Sequence, residues 1–203
     1  MTATMFDGSF AHRWIAEILP SRPMILPPRH YTYPAVAEEV EKGAMEVLIR
    51  PETGLAGSTA QYPMDAPIAP EPFLATCALG FRDAAAPSGL WSMPDPDWIC
   101  AVSGGYAYLI NATCPEQFTM IAYRPVLEIV PVVEQGLLLF VGHHAILAWG
   151  RNGEAWQSDR LSWEGIAIRE IEDGVLRGTG WDMMTDKDVP FALDLHTGGR
   201  IAV

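Results

Sequence analysis

From residue 98 onward, apolar runs of strand length alternate with short polar turns. The runs cover 99–103, 106–111, 117–121, 126–133, 137–141, 144–149, 154–158, 165–171, 175–181 and 190–195. Gly104-Gly105, Asn152-Gly153 and Asp173-Gly174 supply the positive φ that two-residue hairpins require, and Gln135-Gly136 is a weaker instance. Strands this closely spaced can pair only as antiparallel neighbours, because a parallel connection needs a dozen residues or more. Residues 137–141 and 145–149 are apolar at every position, which predicts strands covered on both faces. Arg169, Glu170 and Asp194 interrupt the later runs and predict strands with solvent access. Inner strands buried on both sides, with wetter outer ones, imply several small sheets packed against one another.

The first half reads differently. Prolines are dense from Pro20 to Pro96. Each fixes φ and removes a donor, so residues 1–97 are expected to be extended or irregular and wrapped on the second half, without a core of their own. Two short helices are predicted there. Ser9 is placed to cap a segment through residue 19 that Pro20 ends, and Pro34 suits the first turn of a helix over 35–42, with Gly43 just past its end. Residues 45–50 and 73–81 read as strands. The fold class expected is therefore mostly β, one domain over 1–203. A proline-rich, partly helical half (1–97) packs on an antiparallel meander (98–203).

The meander carries a repeat. Ile99, Leu137 and Val175 each open a strand, at a constant spacing of 38 residues. In the first two units Gly104 falls on Gly142, Ala107 on Ala145, Leu109 on Leu147, Glu116 on Glu154 and Phe118 on Trp156. The third keeps Gly180 in phase but carries a longer predicted loop, MMTDKDV, before Phe191. The phrases LLLFVGHHAILAWGRNGEAWQS and VPFALDLHTGGRIAV resemble the strand–turn–strand phrase of β-propeller blades of the pyrroloquinoline-quinone and WD types. The resemblance covers about residues 98–203 and implies three blade-like units, fewer than the usual ring of roughly 4–8 blades. An incomplete propeller or an open stack is the expectation, with a plain β-sandwich as the alternative. The last unit runs out at the end of the chain after about three strands. The resemblance therefore implies that residues 45–50 or 73–81 pair with it and cover its edge.

Composition narrows the partners. The 203 residues are 49 % hydrophobic and 19 % charged, enough apolar content for a core without disulfides or metal. A net charge of −12 argues against a surface that tracks nucleic-acid phosphates or docks on anionic membranes. Cys77, Cys100 and Cys114 are odd in number and form no CxxC pair, which fits reduced, buried thiols. The amino-terminal residues lack the basic start and unbroken apolar stretch of a signal peptide, so a cytoplasmic location is expected. No cofactor is expected.

Candidate chemistry is sparse. His143-His144 is the most visible pair, although neighbours in a strand point to opposite faces and would not share a metal outside a turn. Asp182, Asp186 and Asp188 crowd one predicted loop and offer oxygen ligands of the kind calcium takes, without EF-hand spacing. Gly178-Thr179-Gly180 reads as hairpin chemistry, since no helix follows to cradle a phosphate. No GxSxG, SxxK, Walker or GxGxxG motif is present. The tryptophans are the better lead. Most belong in the core, but Trp163 stands in a connecting segment and Trp181 ends a strand beside the acidic loop. His143, His144, Trp163 and Trp181 are therefore the candidate binding residues. The expected function is a non-catalytic binding or protein-interaction module for a protein or small-molecule partner. The alternative is a hydrolase-type enzyme with a site assembled from scattered loop residues. A homo-oligomer is compatible with either.

Overall fold

Every apolar run of the second half becomes a strand, and so does much of the first half. The computed structural model describes residues 5–39, 43–52, 71–81 and 86–202. Among them lie seventeen strands in four sheets, and the only helical segments are two short 3-10 turns. Sheet I comprises β2 (Trp14–Leu19), β4 (Ala44–Pro51), β5 (Phe73–Ala78) and β3 (His30–Tyr33) in that spatial order. Sheet II comprises β1 (Met5–Asp7), β6 (Gly89–Ser92), β7 (Trp98–Ser103), β8 (Tyr106–Asn111) and β9 (Phe118–Met120). Sheet III is the meander β10 (Glu128–Val132), β11 (Leu137–Val141), β12 (Ile146–Gly150) and β13 (Gly153–Gln157). Sheet IV is the meander β14 (Ile166–Glu172), β15 (Val175–Asp182), β16 (Lys187–Asp194) and β17 (Arg200–Ile201). Pairing is antiparallel except for β1 on β6 and β3 on β5.

Alternation along the strands builds three cores. Leu90, Ile99, Ala101 and Tyr108 of sheet II face sheet I, where they meet Trp14, Val47, Ile49 and Phe73. Their neighbours Trp91, Cys100, Val102 and Leu109 face the other way and meet Phe140 and Leu138 of sheet III. Leu139, Val141, Ile146 and Ala148 of sheet III then pack on Leu176, Phe191 and Leu193 of sheet IV. The unbroken apolar runs of β11 and β12 are thus explained: each successive residue enters a different core, at roughly 1.5–3 kcal/mol per large side chain buried.

Several expectations are corrected. Residues 14–19 are strand β2, not part of a helix over 9–19. Trp14, Ala16 and Ile18 share a face that packs inward, and the whole segment pairs with β4, from Trp14 opposite Pro51 to Leu19 opposite Glu46. The same spacing satisfies i, i+4, but Pro20 leaves too few residues to offset helix nucleation. Ser9 caps no helix; its N–H bonds the Asp7 carboxylate in a local turn. Instead of a helix over 35–42, a 3-10 turn covers Ala35–Glu39, and residues 40–42 lie outside the described set. The proline-rich half therefore has a sheet of its own, whose core is shared with Ile99, Ala101 and Tyr108 of the second half.

The sheet boundaries fall one strand earlier than the repeat suggests. Leu137 opens the second strand of sheet III and Val175 the second of sheet IV. Sheet IV thereby has its four strands, and neither β4 nor β5 pairs with it; they pair with each other. The predicted MMTDKDV loop is also shorter than expected: Lys187, Asp188 and Val189 are already in β16, and Asp186 takes a positive φ of 52° in the turn.

The outer edge of sheet IV is protected locally. Asp194 donates its N–H to Gly199 on the β17 side, so by ladder alternation Ala192, Pro190 and Asp188 also aim their main-chain groups that way. The β17 strand covers only Ala192 and Leu193. At Pro190 the uncovered stretch has no N–H to offer, and Lys187 and Asp188 put charges on it, both recognised protections of an open edge.

Candidate functional site

The seam between sheets III and IV holds the four candidate binding residues in one network. Its scaffold is the connecting segment 158–165, which leaves β13 and crosses to β14. The His144 carbonyl accepts the Leu161 N–H at 2.7 Å, and the His143 carbonyl accepts the Gly165 N–H at 3.0 Å. On the other side, the Trp181 carbonyl accepts the Trp163 N–H at 2.9 Å and the Ser162 hydroxyl at 3.1 Å. Gly180 makes this closeness feasible: a Cβ there would lie 2.4 Å from the Leu161 carbonyl oxygen. The histidine turn is itself held from sheet II's side. The Tyr123 phenol oxygen accepts the His144 and Ala145 N–H groups, each at 2.8 Å, and its ring fills the space that a side chain at Gly142 would need.

His143 and His144 thus contribute to the site through their carbonyls. Their rings lie 5.9 Å apart, and the Nδ1 of His144 is buried without a hydrogen-bond partner. Trp163 is 40 % exposed, the most exposed of the seven tryptophans. Trp181 is half-buried, with its indole N–H bonded to the Asp186 carboxylate at 3.2 Å.

A groove of about 220 Å³ opens beside these residues. The buried Leu161 and Phe191 line it together with Val189, Pro190, Trp163 and Trp181. Asp182 also lines it. Its carboxylate accepts the Thr185 hydroxyl at 2.7 Å and the Thr185 N–H at 3.1 Å. These bonds, that of the hydroxyl foremost, hold Asp182 below the usual carboxylate range, so it is ionised at neutral pH. Two arginines complete the lining. Arg160 lies over the Trp163 ring at 4.4 Å, and Arg200 donates to the Arg160 carbonyl at 2.8 Å.

The three aspartates do not form the cation site considered from sequence. Asp182 is turned to Thr185, Asp186 to the Trp181 indole, and Asp188 lies exposed on β16 opposite Trp181. Among the described residues no group of three His, Cys, Asp or Glu side chains is placed to hold a metal ion.

Sequence reasoning missed Arg160 and Arg200. Arg160 directly precedes the Leu161–Trp163 stretch and its position carried a local signal. Arg200 reaches the groove only because β17 folds back on β16, which no short-range pattern announces. No protein-family model matches the chain and no curated protein matches it in sequence, so what the groove does is read from its own chemistry.

Proposed function

We propose that the protein is a non-catalytic binding module whose recognition site is the groove at the seam of sheets III and IV. The observation that carries this reading is that the segment presenting the exposed Trp163 is held on both sides, by the Trp163 N–H to Trp181 of sheet IV and by the Leu161 and Gly165 N–H groups to the histidine turn of sheet III, beside a groove that Leu161 and Phe191 line. A large aromatic held rigidly at a surface loses little entropy on contact, which is why such residues anchor interfaces and ligand sites. The polar groups around it support binding over catalysis. The Ser162 hydroxyl is 2 % exposed and donates to a carbonyl, a structural use that leaves no activated nucleophile there. The 38-residue spacing supports reading sheets II to IV as blade-like units, and grooves between such units are natural places for loop-borne recognition.

A fragment screen by thermal shift tests the proposal, run on the wild type and on Trp163→Ala. Fragments that raise the melting temperature of the wild type are expected to lose that effect in the variant. Fragments that stabilise both proteins equally would place binding elsewhere. The hydrolase reading has one observation of its own, the unpartnered His144 Nδ1. Turnover of an ester or phosphoester substrate, lost in His144→Ala, would favour it.

A further inference from the structure

We infer that Arg160 and Arg200 make this groove a receptor for a small ligand carrying an oxyanion on a flat apolar body. The inference rests on the groove being the binding site and adds the chemistry of what it takes.

The charge balance of the groove runs against that of the chain. The protein has 25 acidic residues against 13 basic ones, yet the groove gathers two arginines and one carboxylate. The ion pairs among the described residues are Arg13–Asp97 and Arg177–Glu170; neither groove arginine is in one. The carboxylate that shares the groove, Asp182, has one oxygen committed to the hydroxyl and N–H of Thr185. What remains is a local excess of positive charge in a cleft that Leu161 and Phe191 also line.

The geometry of each arginine fits anion capture. The Arg160 guanidinium lies 4.4 Å from the centre of the Trp163 ring, and its N–H groups make no hydrogen bond to another described residue, so they remain available to donate. Arg200 places one Nη on the Arg160 carbonyl, which locates its guanidinium beside the base of the Arg160 side chain and leaves its other donors uncommitted. Two forks of fixed geometry match carboxylate, phosphate or sulfonate oxygens, and such charge-assisted bonds are the strong ones. The apolar side chains of Leu161, Phe191 and Val189 would meet the body of the ligand. At about 220 Å³ the groove is smaller than the ~300 Å³ at which ordinary ligand pockets begin, so the body is no larger than one or two rings.

The test uses, on the full chain, four probes that share a naphthyl body: 2-naphthoate, 2-naphthyl phosphate, 2-naphthylmethanol and 2-naphthylmethylamine. Affinity is measured by isothermal titration, and location by the indole N–H signals in ¹⁵N-resolved NMR. One or both anions are expected to bind about tenfold or more tightly than the alcohol, to move the Trp163 indole signal, and to weaken about tenfold in Arg160→Gln and in Arg200→Gln. The carboxylate and phosphate arms show which oxyanion is preferred. Arg151→Gln, in a second tryptophan-flanked cleft formed by Trp98 and Trp149, serves as the control and should bind as the wild type does. Melting curves of each variant confirm folding. Alcohol or amine binding as tightly as the anions at Trp163 would overturn the oxyanion inference and leave the groove as a binding site. Anion binding that survives both arginine substitutions would overturn it as well. If no probe of any charge moves Trp163, the groove reading falls too.

Discussion

Replacing Tyr123 with phenylalanine isolates a single oxygen that holds the histidine turn. That oxygen accepts two main-chain N–H groups, from His144 and Ala145, at 2.8 Å each. The variant keeps the ring packed against Gly142 and removes only the acceptor. A neutral hydrogen bond contributes ~1 kcal/mol net, but an N–H left buried without an acceptor costs ~1–3 kcal/mol. Ala145 is 6 % exposed, so its N–H has little access to solvent, whereas His144 is half-buried and its N–H can recover part of its loss to water. The expected destabilisation is roughly 2–4 kcal/mol, or a fall in melting temperature of roughly 5–15 °C for a chain of this length. The effect should also travel. The His144 carbonyl anchors Leu161, and Leu161 precedes the stretch that presents Trp163. Hydrogen exchange of the Leu161 and Trp163 amides should therefore accelerate more than that of β7 amides, which lie outside this network. A variant that melts within about 1 °C of the wild type, with unchanged protection at Leu161, would refute the reasoning.

Four further outcomes follow from the seam, the cores and the turn at Asp194. Trp156 donates its indole N–H to the Leu195 carbonyl at 2.7 Å across the seam, so Trp156→Phe should cost roughly 2–4 kcal/mol in urea unfolding, from a lost buried bond plus a void. Gly180→Ala forces a methyl to 2.4 Å from the Leu161 oxygen and should shift the Trp163 indole resonance while destabilising the chain by roughly 1–3 kcal/mol. Native protein should yield one promptly reactive thiol, Cys114, because Cys77 and Cys100 are fully buried and burial pushes both thiols up; all three should react in denaturant. Asp194 is held below the usual carboxylate range by the Thr197 and His196 N–H groups. Its folded value lies under the unfolded one, near ~3.9, so its stabilisation is complete above that pH and lost as pH falls through the depressed folded value. Carboxyl ¹³C titration should place Asp194 below the ordinary aspartate value of ~3.9, and Asp194→Ala should flatten the acid limb of the stability curve.

What the sequence revealed follows from how local each signal is. The type of turn at Gly104-Gly105 and Asp173-Gly174 is written in the residues themselves, and both pairs take the positive φ required. The double-sided burial of β11 was legible because no polar residue interrupts it. By contrast, β6 is four residues long between Pro87 and Pro94, too short to show a period, and β3 finds its partner β5 some forty residues away. Missing β6 displaced the sheet boundaries by one strand, since the repeat was counted from the strand after it. Segment 14–19 fits both periods, and only its partner β4 decides between them. For the site, Trp163 and Trp181 could be named because aromatics outside a strand interior stand out, but their joining through His143 and His144 is made by main-chain atoms, which carry no residue signature.

The cores of the four sheets are arranged in series, I to II, II to III and III to IV, and no described core joins I to IV. Each sheet therefore depends on its immediate neighbours, as units do in a linear array governed by nearest-neighbour coupling. Among the described residues, sheets II and III are each supported from two sides, while sheet I packs on sheet II and sheet IV on sheet III. Cooperativity should then weaken toward the terminal units: sheet IV can detach at the cost of one interface, while losing sheet III severs two. Because the groove is built where sheet IV meets sheet III, occupancy of the groove would act as a clasp on a terminal unit of the array. A ligand bound there would slow fraying of β14 to β17 and leave fraying at the opposite terminal unit, sheet I, unchanged.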